Sequence, residues 1–106
     1  MKKIPPELLE EIVRRLVEGL HPERVILFGS HAYGEPSDAS DIDLLVVVSD
    51  SDEPRYRRAR RGYSCLRGLT APTELMVLTR REIEQGATVP ASLVHQALQR
   101  GRVLYG

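Results

Sequence analysis

The chain has 106 residues, 42% of them hydrophobic and 28% charged. This is the composition of a single folded domain, and it excludes a disordered tail or a collagen-like chain. Fifteen basic and fifteen acidic residues cancel to a formal charge of zero, so overall charge gives no argument for nucleic acid or an anionic membrane. There is no tryptophan, so Leu, Val and Ile must build the core. The single cysteine, Cys65, excludes an intrachain disulfide or a cysteine zinc site and fits a reducing compartment. The longest apolar runs are about five residues, far short of the ~20 of a membrane span. The opening MKKIPPELLEEI lacks the apolar segment of a signal peptide, so the expected location is the cytoplasm.

Pro5 and Pro6 open the first element, because proline's missing N–H has no partner in a first helical turn. Leu8, Leu9, Ile12, Val13, Leu16, Val17 and Leu20 then recur at helical spacing, opposite Glu10, Glu11, Arg14, Arg15 and Glu18. This predicts an amphipathic helix ended by Gly19 and Pro22. Val25 to Phe28 is a short apolar run with room for a strand. Residues 29–40, GSHAYGEPSDAS, read as a loop that could hold one helical turn. DIDLLVVV, residues 41–48, is the strongest strand signal, and its β-branched content suits a central strand covered on both faces. Residues 55–68 carry six arginines, with Tyr56, Ala59, Tyr63 and Leu66 at helical spacing, which predicts a basic helix. TELMVLT (73–79) is a further strand, RREIEQG (80–86) a short helix capped by Thr79 and closed by Gly86, and residues 92–100 a last helix ending at Gly101. RVLYG (102–106) could form a terminal strand. The alternation predicts an α/β (α+β) domain over residues 1–106.

The neutral total hides a division. Residues 25–54 hold seven carboxylates and no Lys or Arg, whereas residues 55–68 hold six arginines and no carboxylate. Asp41 and Asp43 begin an otherwise apolar strand, and the period of two puts both on one face, about 7 Å apart. Paired carboxylates beside a core are costly unless something positive lies between them, and a divalent cation is the simplest candidate. Two aspartates at a strand edge could equally cap the turn in SDASD. Gly29 and Ser30 follow a buried strand directly, where a glycine lets backbone amides approach a phosphate and a serine hydroxyl can bind it. The string GSHAYG is followed by Glu35-Pro36 rather than Lys-Ser or Lys-Thr, so it is not a P-loop.

The joint pattern of strand, Gly-Ser, ten residues and Asp-Ile-Asp on a second strand is more specific. The segment LFGSHAYGEPSDASDIDLLVVV (27–48) resembles the nucleotidyltransferase superfamily that shares its fold with DNA polymerase beta. The ending PASLVHQALQRGRVLYG (90–106) is similar to the minimal nucleotidyltransferase branch, the antitoxin partners of HEPN-domain toxins. The resemblance implies a mixed sheet of three to five strands with helices mainly on one face. It implies two Mg²⁺ ions held by Asp41 and Asp43, ATP as substrate, and Gly29 and Ser30 at the terminal phosphates. The third carboxylate of the family, usually an aspartate on the neighbouring strand, matches Glu74, which would bind metal and help deprotonate the incoming hydroxyl. The turn often carries arginine where this chain has His31 and Tyr33.

The resemblance implies a protein adenylyltransferase that moves AMP from ATP to a hydroxyl, a tyrosine of a cognate HEPN RNase toxin, within a hetero-oligomer. The alternative is an antitoxin of the same fold that has weak or no catalysis and neutralises by binding. Glu74, one methylene longer than aspartate, keeps that alternative open. Direct binding of RNA or DNA by the arginine helix ranks below both, because no nucleic-acid motif accompanies it.

Overall fold

The computed structural model describes all 106 residues. Helix α1 (Pro6–Leu20) leads into strand β1 (Arg24–Phe28), a single-turn α2 (Ser30–Tyr33) and strand β2 (Ile42–Val48). Helix α3 (Arg55–Cys65), strand β3 (Thr73–Thr79), helices α4 (Arg80–Ala87) and α5 (Leu93–Arg100) and strand β4 (Arg102–Tyr105) follow. The sheet order is β3-β2-β1-β4. β1 is antiparallel to β2 and β4, and β2 is parallel to β3. The sheet is therefore mixed, with β2 and β1 central. No helix is long and apolar enough to cross a membrane.

The alternation of each central strand divides the core in two. Val25 and Leu27 of β1, and Ile42, Leu44 and Val46 of β2, pack with Leu9, Ile12 and Leu16 of α1. Ile26, Phe28, Leu45 and Val47 point the other way and pack with Val94 and Ala97 of α5 and with Ile83 of α4. The two long helices α1 and α3 thus share the larger core face, and the two eight-residue helices cover the opposite one. This is why the β2 run reads as continuous apolar sequence rather than an alternation.

Three elements differ in detail from the sequence expectation. Gly19 does not end α1. It lies within the helix, and a Cβ there would meet Cys65 Sγ at 2.2 Å, so this glycine lets α1 and α3 approach. The stop is His21, which takes a left-handed conformation (φ 48°) and returns its N–H to Val17 O at 3.0 Å. Likewise α4 continues through Gly86 to Ala87, with Val94 of α5 packed where a side chain would be. The third difference is in α3. Its inward residues are Arg58 and Gly62, not the tyrosines. Tyr56 is exposed, and Tyr63 spends its hydroxyl accepting the Leu75 N–H of β3 at 2.9 Å.

Arg58 is only 8% exposed. Its guanidinium donates to Glu53 O at 3.1 Å, to Val77 O of β3 at 3.0 Å and to Glu82 Oε1 at 2.6 Å. Glu82 accepts in addition from Arg55 at 2.8 Å and from the Thr79 N–H at 2.8 Å, and donates its own backbone N–H to Thr79 Oγ1 at 3.2 Å. This reciprocal pair is a capping box, the arrangement that satisfies the first amides of a helix. One carboxylate therefore ties α3, the end of β3 and the start of α4. The arginine-rich stretch is partly internal structure rather than a uniform solvated face.

The Arg58 hydrogen bond, with the Thr79 amide and Arg55, holds the Glu82 carboxyl far below its ordinary value of 4.5. A carboxyl lowered in the folded state stabilises the fold above its unfolded pKa and loses that contribution as pH falls. Denaturant titrations should therefore show stability dropping as pH is lowered through 4.5 and below. Glu82→Gln should cost roughly 3 kcal/mol at pH 7, because it strands a buried arginine, and its stability should vary less with pH in the acid range. Equal acid sensitivity in the two proteins would rule out this role.

Candidate active site

Asp43 is the second residue of β2, half-buried, with its side chain on the α4/α5 face. In the parallel register its direct partner on β3 is Glu74. The same alternation puts Met76 and Leu78 of β3 in the α4/α5 core, so Glu74 shares the face of Asp43. Adjacent strands lie about 4.8 Å apart, so these two carboxylates are neighbours by backbone construction. On the other side of β2, Asp43 is the register partner of Phe28, the last residue of β1. The chain then turns at Gly29.

Gly29 has φ 75° and ψ −163°, a conformation open almost only to glycine. A Cβ on it would stand 2.2 Å from Asp43 Oδ2. Glycine is thus required twice, for the turn and for the approach of the backbone to the carboxylate. Ser30 follows as the first residue of α2, and its hydroxyl donates to Ser40 Oγ at 2.9 Å. Ser40 Oγ also accepts the Ser37 N–H at 2.8 Å, which closes the turn just before Asp41. Sequence reasoning missed Ser40. Its only signal was a serine directly preceding the aspartate pair.

Gly29, Asp43 and Glu74 line one cleft of about 350 Å³. Phe28, Leu75, Met76 and Leu93 form its apolar walls, and Tyr33 and Gln96 add polar groups. Asp41 and Ser30 are not part of the lining. Asp41 is exposed and lies one residue before β2 begins. The Ile42 N–H already bonds Pro72 O at 2.9 Å, which starts the β2–β3 contact just after it. A larger groove of about 520 Å³ runs between α1 and β4, but it is lined by Leu9, Val13, Val17, Leu104 and Tyr105 and by the paired Arg14 and Glu18. It brings none of the predicted site residues together.

Burial pushes the Asp43 carboxyl up, and the charges of Glu74 and then Asp41 push it further, against a small opposing effect of His31. The seven ion pairs of the molecule involve none of these three carboxylates. Their unneutralised oxygen donors have the chemistry of a site for a hard divalent cation such as magnesium. As they lie, no three His, Cys, Asp or Glu side chains stand close enough together to hold one. Asp41 and Glu74 are both exposed, so neither side chain is fixed in place by packing.

Comparison with known proteins gives a consistent result. The family described as Nucleotidyltransferase domain matches residues 7–104. A solved structure from Sulfolobus solfataricus, assigned as a nucleotidyltransferase, is 30% identical, covers 74% of this chain and 70% of its own, and superposes with a TM-score of 0.61. A second structure with the same assignment is 24% identical over 91% of this chain and 96% of its own, with a TM-score of 0.60. A variant of the toxin-antitoxin MntA-HpeT is 22% identical over 92% of this chain and 72% of its own, also with a TM-score of 0.60, a likeness of fold. No curated protein matches.

Gly29→Ala should destabilise the protein by roughly 1–3 kcal/mol in chemical denaturation, from backbone strain and the clash with Asp43. Asp43→Asn should act oppositely. It removes a charge that the fold disfavours, so in EDTA at neutral pH it should melt above the unmodified protein, and Mg²⁺ should shrink that advantage. An Asp43→Asn protein melting lower in EDTA would contradict the electrostatic account.

Proposed function

The chain belongs to the nucleotidyltransferase domain family, and from that premise we propose that it transfers AMP from ATP to a hydroxyl, a tyrosine of a cognate HEPN RNase toxin, and so acts as an antitoxin. The observation that carries the reading is the register apposition of Asp43 and Glu74 at the Gly29 turn, on one cleft, in a chain of this family. Domains of this family use a nucleoside triphosphate and a divalent metal. The kinship of fold with one component of a toxin-antitoxin pair supports a protein acceptor.

The chemistry follows from the positions. Asp43, with Asp41 and Glu74 turned toward it, would hold magnesium, two ions in the full arrangement. The metal supplies charge neutralisation on the phosphates and makes the α-phosphorus more electrophilic. Gly29 allows the triphosphate to approach the backbone at the turn, and Ser30 would offer its hydroxyl there in exchange for its bond to Ser40. Glu74, exposed where Asp43 is half-buried, accepts the proton of the acceptor hydroxyl as its oxygen attacks the α-phosphorus. A new phosphorus–oxygen bond forms, the bond to the bridging oxygen breaks, and pyrophosphate leaves. Phe28, Met76 and Leu93 give the cleft an apolar wall that limits water as a competing acceptor.

One observation favours a second reading, an antitoxin of this fold that neutralises by binding alone. The three carboxylates are not gathered at metal-holding distance, and Glu74 is longer than the usual aspartate. The two readings separate cleanly. With Mg²⁺, α-labelled ATP and the partner toxin, transfer should label the toxin, and Asp43→Asn should reduce the rate by at least about 10²-fold. Absence of label with the unmodified protein, restored by Glu74→Asp, would favour the binding reading. Neutralisation that survives Asp41→Ala/Asp43→Ala would do the same.

A further inference from the structure

The elements that build the cleft are poor in positive charge. Residues 25–54 contain no Lys or Arg, although seven carboxylates lie there. A polyphosphate entering beside Asp43 and Glu74 must therefore find a side-chain cation from elsewhere in the fold. Six of the fifteen basic side chains are already engaged. Arg14, Arg15, Arg55, Arg58, Arg61 and Arg80 are each paired with a glutamate.

Arg100 is not. It is the last residue of α5, it makes no ion pair, and its guanidinium carbon lies 4.1 Å from the centre of the Tyr33 ring. Tyr33 is the last residue of α2, three after Ser30, and it lines the cleft that holds Asp43 and Glu74. Gln96, one helical turn before Arg100 on the same face of α5, lines that cleft as well. The stack thus brings a positive charge from the C-terminal end of the chain to the rim of an acidic cleft near its middle.

The chemistry of the contact suits an anion. A guanidinium stacked on a ring uses its face, and its N–H donors, which lie in its plane, stay available. Stacking also restricts a side chain that is otherwise rich in rotamers, so less freedom is lost when an anion binds. The planar fork of donors matches two oxygens of a phosphate. Resting on the nucleotidyltransferase reading above, we infer that Arg100 binds the polyphosphate of the incoming nucleotide, and that Tyr33 is a positioning residue that holds it at the cleft.

Calorimetric titration of the whole chain with Mg²⁺-ATP and, separately, with Mg²⁺ and inorganic tripolyphosphate tests this. Arg100→Met keeps the aliphatic stem and removes the charge, and it should weaken both ligands about tenfold, with the ligand-free melting temperature little changed. Arg102→Met, an equal loss of charge on β4, should not weaken them. Tyr33→Ala should weaken binding to a similar extent, and Tyr33→Phe, which keeps the ring, should recover most of it. The double variant Tyr33→Ala/Arg100→Met should bind no more weakly than Arg100→Met alone, as expected when one residue acts through the other. If Arg100→Met binds tripolyphosphate and ATP as tightly as the unmodified protein, or if the two losses simply add, the inference is overturned while the nucleotidyltransferase reading stands. An unmodified protein that binds neither ligand overturns both.

Discussion

A parallel strand pair has no hairpin turn to set its register, so the pairing of β2 with β3 must be held by what surrounds it. At the start, the Ile42 N–H bonds Pro72 O. Along the pair, Leu44 and Leu75, and Val46 and Val77, face the α1/α3 core together. The crossover helix α3 is anchored to Val77 O and Glu82 by the buried Arg58. A slip of one residue would turn Glu74 into that apolar core and Leu75 onto the opposite face. The apposition of Asp43 and Glu74 is therefore a by-product of core packing, and it is as secure as the core itself.

The cleft is organised at a cost to stability. Asp43 is half-buried and surrounded by like charge, and Gly29 keeps a backbone conformation that admits no side chain. Neither feature helps the domain to fold. Both make sense where a cation and a phosphate-bearing ligand supply what the protein leaves unbalanced, and functional sites are where such local conflicts with folding are expected. The apolar walls contributed by Phe28, Met76 and Leu93 raise the cost of the exposed charges and sharpen their demand for a counter-ion.

Charge on the other side of the molecule has a different meaning. The acid-free run of six arginines looks from its composition like a partner surface. In the fold, Arg55 and Arg58 converge on Glu82, and Arg61 pairs with Glu53. The segregation of charge along the chain is thus partly undone in space. What composition placed on two separate segments, tertiary contact brings together as internal ion pairs. The cation stacked on the cleft-lining Tyr33 comes from α5, outside the arginine run.

Residues in one chain segment report faithfully on local order, and here that covered the elements from α1 to β4. Periodicity, proline and the capping threonine at position 79 are properties of neighbours within a few positions, so the helices and strands were legible, with errors at Gly19, at Gly86, at the start of β2 and in the face that α3 turns inward. The Gly29 turn and the placement of Asp43 on a strand were legible for the same reason. That Asp43 faces Glu74, that Arg58 is buried, that Asp41 stands just off the strand and that Arg100 stacks on Tyr33 join segments up to 67 positions apart. No local pattern encodes them. They depend on which faces the helices bury and which register the parallel strands adopt, and only the packing of the whole chain sets those.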